Sequence, residues 1–158
     1  MRLARALEAH PERLFLGFLA LQLVVWTLVP ALVMPNLPLD VVESLAWGRE
    51  WQLGYAKHPA LPAWALEATA TLFGRQAWTF YLLAQLAVVL AYFAVWRLAL
   101  ALTDATGAAL AVLLLAGVYY FSVPTPEFNH NVVQMPIWAG IGLVLYRALV
   151  SGRLLTWL

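Results

Sequence analysis

Two long apolar runs constrain this chain more than any other feature. Residues 14–34 read LFLGFLALQLVVWTLVPALVM, and a second run from Ala77 to Trp96 ends at Arg97. A helix needs about 20 mainly apolar residues to cross the roughly 30 Å hydrocarbon core of a bilayer. Both runs meet that length. Two shorter runs follow, Gly107 to about Val123 and Val132 to about Val150. These reach across by tilt, with Arg147 snorkelling to the interface. The expectation is an all-α polytopic membrane bundle of about four spanning helices, near residues 14–34, 77–100, 107–123 and 132–150. Composition agrees, with 64% of residues apolar and 11% charged. A soluble domain is nearer about half apolar and about a quarter charged. A signal peptide is the rival reading of the first run, but the run exceeds an h-region of about 7–15 residues and no small-x-small site follows it. The net charge of +1 gives no case for nucleic acid. The absence of cysteine excludes disulfides and thiolate metal sites.

Between the first two runs lies a polar island, Leu39 to Ala68. It holds Asp40, Glu43, Glu50 and Glu67, four of the eight acidic residues, together with Arg49, Lys57 and His58. Basic residues set its side of the membrane. With the N-terminus cytoplasmic, Arg2, Arg5, Arg13, Arg97, Arg147 and Arg153 fall inside, and Arg49, Lys57 and Arg75 fall outside. The first outer loop, residues 35–76, is then extracytoplasmic, as is Pro124 to Asn131; Thr103 to Gly107 is an inner turn. A plasma (inner) membrane location follows.

Within the loop, Asp40 reads as an N-cap with Glu43 as its capping-box partner. A short helix from about Val41 to Trp51 would line up Asp40, Glu43, Trp47 and Glu50. Gly54 breaks it. Pro62 opens a second short helix, Ala63 to Phe73, closed by Gly74. Both helices are expected to lie in the interface, where Trp and Tyr are favoured. Each polar residue also has a plainer reading. Asp40 and Glu43 can simply cap a helix, and Lys57 can bind lipid headgroups. The Trp side chains suit anchoring better than sugar stacking. His58 and His130 fall on the same face, and two His with a carboxylate could bind a divalent metal, although helical HxxxH spacing is missing. The segment EFNHNVVQMP sets Glu127, Asn129, His130, Asn131 and Gln134 where the last run begins. Asn129 or Asn131 can cap that helix, yet five polar groups exceed what capping requires.

These motifs occur in a telling order: D-x-x-E, then W-x-x-G-Y-x-K-H-P, a stretch ending LFG, and a later F-N-H-N. The order resembles the N-terminal part of the dolichyl-phosphate-mannose protein mannosyltransferase-like (family 39-type) glycosyltransferases, over about residues 14 to 150. Its most specific piece is GYAKHPALPAW, Gly54 to Trp64, where Ala60 stands in place of a second proline found in most relatives. The resemblance implies a GT-C fold, here partial, because family members carry about eleven or more spanning helices and this chain ends at SGRLLTWL after four runs. The chain is accordingly expected to be a fragment, doubtful in activity alone. The resemblance also implies transfer of a sugar from a polyprenyl-phosphate donor to a lipid, glycan or protein acceptor. Asp40 matches the acidic base of the first outer loop, with Glu43 beside it. Tyr55, Lys57 and His58 fall where relatives face the lipid phosphate, and Glu127, Asn129, His130 and Asn131 fall beside the active cavity. No cofactor is implied with certainty, and a divalent metal stays open. Two other classes compete. A small transporter subunit predicts polar groups along a path in mid-helix, and Gln22, Gln85 and Gln134 are the only strongly polar ones. A non-catalytic scaffold predicts small-xxx-small faces, faint here at Ala139, Gly140 and Gly142. Neither explains the concentrated loop.

Overall fold

The structure is a computed structural model that describes residues 7–152, and among these it is all helical. Arg2, Arg5 and Arg153 of the orientation argument lie outside the described residues. The elements are α1 (Pro11–Val33), α2 (Leu39–Gly48), α3 (Ala60–Phe73), α4 (Ala77–Leu102), α5 (Ala105–Leu115), a 3-10 turn (Tyr119–Phe121) and α6 (His130–Ser151). Three of them, α1, α4 and α6, are long and apolar enough to cross a membrane. Their outward faces carry bare Leu, Val and Ile, such as Leu28, Leu32 and Ile141. Such a surface is favourable in lipid.

α4 is the central post. Phe80, Ala84, Val88, Tyr92 and Trp96 recur every fourth residue, and all are buried. That spacing makes a continuous helical stripe. α1 runs antiparallel to it. Phe15 stacks on Trp96 with ring centroids 4.5 Å apart at one end. The Tyr81 hydroxyl meets Met34 Sδ at 3.7 Å at the other. α6 runs parallel to α4, since Tyr146 near its far end donates to the Ala101 carbonyl at 3.0 Å.

Two parallel helices need a return pass between them. The third apolar run supplies it, but not as the expected helix over 107–123. α5 has 11 residues, about 16 Å of rise, half a bilayer. The chain then continues as successive turns through Gly117, Pro124 and Pro126. The physical reason is that α4 offers this segment polar partners. The Tyr92 hydroxyl donates to the Phe121 carbonyl at 3.0 Å, and Gln85 Nε2 donates to Thr125 Oγ1 at 3.1 Å. Gln85 Oε1 in turn accepts from Gln22 Nε2 of α1 at 3.0 Å. Irregular backbone at membrane depth is tolerated where protein covers it, and Thr125, Pro126 and Phe128 are buried. Gln22 and Gln85 are thus buried and bonded to each other.

The first loop folds as two short helices, with shifted ends. α2 starts at Leu39 and stops at Gly48, not at Trp51; Glu50 therefore leaves the face shared by Asp40, Glu43 and Trp47. Its N-cap is Pro38, and no side chain caps it locally. The capping-box reading of Asp40 and Glu43 is therefore wrong: Asp40 lies inside the first turn. α3 starts at Ala60 rather than Ala63. Pro62 sits in its first turn, where a missing N–H costs nothing. Gly54 does not end α2; it bridges to Pro59 across the turn holding Tyr55 and His58. α2 and α3 touch at Gly48, where an added Cβ would lie 2.5 Å from the Ala63 carbonyl oxygen and 2.8 Å from Glu67 Cβ. Both atoms are rigidly placed, so Gly48→Ala should destabilise the protein by about 1–3 kcal/mol, as overpacking does. It should also pull Glu43 away from the loop opposite. Thermal unfolding in detergent micelles measures this, and an unchanged midpoint would show that the helices slide apart freely.

Candidate functional site

The site forms where α2, the turn before α3, and the start of α6 meet. α2 presents Asp40, Glu43 and Trp47, one turn and two turns apart on a single stripe. The 54–59 turn carries Lys57 and His58 to that stripe. The Lys57 ammonium lies 2.8 Å from Glu43 Oε2 and 4.0 Å from Asp40 Oδ1. The hydrogen bond that Lys57 donates to Glu43 raises its pKa most; desolvation opposes it, and the charges of Glu43, Asp40 and Glu127 add to the rise. Lys57 is thus a fixed cation in the neutral range.

The second polar segment closes the site from 87 or more residues away. Glu127 Oε1 accepts the Asp40 backbone N–H at 3.1 Å. This satisfies one of the free donors at the α2 N-terminus and sets a negative charge at the positive end of the helix. Glu127 thus caps α2 from a distance, where Asp40 was expected to cap it locally. Asn129 has two tasks. Its Oδ1 accepts from the backbone N–H groups of Asn131 and Val132, capping α6. Its Nδ2 donates to Asp40 Oδ2 at 3.0 Å. The Asp40 carboxylate is so held between an amide and an ammonium, with both oxygens engaged and part of its surface open.

An aromatic wall backs these charges. His58 and His130 stack with centroids 4.5 Å apart. Trp47 packs on His58 at 5.7 Å and on Tyr55 at 5.6 Å, nearly parallel to the latter. His58 Nε2 and His130 Nδ1 are buried without a protein partner. One ligand atom each from Asp40, Glu43 and His58 falls within 4.8 Å of the others, a spacing that could hold a cation. Lys57 already reaches both carboxylates of that set.

Eight of the nine residues singled out in the sequence converge here: Asp40, Glu43, Tyr55, Lys57, His58, Glu127, Asn129 and His130. Asn131 does not; it is exposed, and only its backbone takes part. Trp47, expected on the same helical face as Asp40 and Glu43 and as an interfacial aromatic, stacks on Tyr55 and His58 as part of the wall. Its position four residues after Glu43 on the same helical stripe was the available signal.

The arrangement offers a carboxylate base, a fixed cation and flat apolar rings at one end of a membrane bundle. The sequence profile described as dolichyl-phosphate-mannose-protein mannosyltransferase matches residues 57–158, the larger part of the chain. The match takes in Lys57, His58 and the segment from Glu127 to Asn131, and begins after Asp40 and Glu43. No match was found among curated proteins or solved structures.

Proposed function

We propose that this chain, which belongs to the dolichyl-phosphate-mannose-protein mannosyltransferase family of membrane glycosyltransferases, moves a sugar from a polyprenyl-phosphate donor to a hydroxyl acceptor at the extracytoplasmic face of the plasma membrane. The observation that carries the reading is the Lys57 ammonium set against Asp40 and Glu43, at the junction between the matched segment and α2. In the proposed reaction Asp40 takes the proton of the acceptor hydroxyl as its oxygen attacks the anomeric carbon. The bond from that carbon to the phosphate oxygen breaks, and polyprenyl phosphate leaves. Lys57 stabilises the charge that grows on the phosphate, which is where a placed cation lowers a barrier most. Glu43 holds Lys57, and Asn129 orients Asp40. His58 and His130 present unpartnered ring nitrogens for polar groups of the sugar or phosphate, and Trp47 with Tyr55 offers flat apolar faces.

Lys57 also bears on metal dependence. A divalent ion at Asp40, Glu43 and His58 would have to displace it, so we propose that Lys57 supplies the cation. The experiment is transfer in proteoliposomes with polyprenyl-phosphate-mannose as donor, following release of polyprenyl phosphate and labelled product. Lys57→Ala should lower the rate about 10²–10³-fold, the usual effect of removing one charge-stabilising group. It should also leave two unbalanced carboxylates that bind Mn²⁺ in calorimetry where the unaltered protein does not. Equal Mn²⁺ binding by both would return the metal to the site and remove Lys57 from this role.

A further inference from the structure

The face of α2 turned away from Asp40 borders a second feature. Val42, Leu45, Ala46 and Arg49 follow one another at helical spacing and line a cavity of about 430 Å³. Leu37, Phe80 and Arg75 complete it. Its walls are apolar except for the two guanidinium groups. Arg75 is spent, since it donates to both oxygens of Glu67 at 2.9 and 3.0 Å. The Arg49 guanidinium makes no hydrogen bond or ion pair among the described residues. An apolar cleft of this size topped by an uncommitted cation matches a ligand with a hydrocarbon chain and an anionic head.

We infer that this cavity binds an anionic bilayer phospholipid, with its phosphodiester on Arg49 and one acyl chain between Leu37, Leu45 and Phe80. A reacting polyprenyl donor fits the position badly. Arg49 lies nine residues beyond Asp40, about 13.5 Å along the helix, and on its other side. A sugar whose phosphate rested on Arg49 would not reach the Asp40 carboxylate. The occupant is therefore a resident lipid, which ties the loop helix α2 to the start of α4. The inference needs only the membrane bundle and stands apart from the transfer reaction.

The test is native mass spectrometry of the protein released from phosphatidylcholine nanodiscs containing dioleoylphosphatidylglycerol. The unaltered chain should retain one phosphatidylglycerol. Arg49→Gln should reduce that retention at least tenfold. Ala46→Phe, which fills the cavity from an exposed position and keeps the charge, should do the same and covers the case in which Arg49→Gln fails to insert. Arg147→Gln, at the far end of α6, should leave retention unchanged. The inference is overturned by an unaltered chain that retains no phosphatidylglycerol, by full retention in an inserted Arg49→Gln or in Ala46→Phe, or by displacement with stoichiometric polyprenyl phosphate. Displacement by free inorganic phosphate would reduce the site to an anion site and count against it equally.

Discussion

Asp40→Asn should lower sugar transfer about 10²–10⁴-fold, the range for losing a general base, while the bundle folds and inserts normally. The geometry makes this substitution unusually clean. Asn keeps the size of Asp, and its Oδ1 can still accept from Asn129 Nδ2. The Asp40 backbone N–H bond to Glu127 does not involve the side chain. α2 does not rely on Asp40 as a cap, because Pro38 holds that position. What disappears is the capacity to take a proton and the charge facing Lys57. Glu43→Gln is the informative companion. It breaks the 2.8 Å pair with Lys57 but leaves the base in place, so it should raise KM for the donor more than it lowers kcat. Near-normal transfer by Asp40→Asn would dismiss Asp40 as the base and pass the role to Glu43 or Glu127.

The membrane class and the two loop helices were legible because hydropathy and helix punctuation are local properties. Residues 77–102 needed only a count of apolar residues. The third run was misjudged because hydropathy reports the solvent a segment prefers and not its backbone. Gly107 to Val123 is apolar enough to span with tilt, yet its second half runs as turns, held by Tyr92 at Phe121 and by Gln85 at Thr125 just beyond it. Asp40 illustrates the same limit. D-x-x-E fits a capping box and a first-turn pair equally well, and the deciding partner, Glu127, is 87 residues away. Lys57 and His58 drew attention through a motif, but their contact with Glu43 and with His130 is a tertiary fact. The site was thus readable as a parts list, without its wiring.

That wiring depends on the buried ladder from Gln22 through Gln85 to Thr125, which fixes the irregular return pass and so aims Glu127 and Asn129 at α2. Gln85→Leu keeps the volume but strands the Gln22 amide and removes the donor to Thr125 Oγ1. Interhelical hydrogen bonds in membranes average about 0.6 kcal/mol and reach about 1.7, whereas a buried polar group left without a partner costs roughly 1–3 kcal/mol. Thr125 Oγ1 still donates to the Ser122 carbonyl at 2.7 Å, so only the Gln22 amide is stranded and the single variant should lose roughly 1–3 kcal/mol. Gln22→Leu combined with Gln85→Leu should recover about half or more of that loss, because the stranded amide is gone. Unfolding in bicelles measures both variants in one cycle. Transfer activity should follow the same order if the ladder positions the second polar segment. A double variant as unstable as Gln85→Leu alone would show that Gln22 is not the partner that matters. The return pass would then be held by Tyr92 and Phe121.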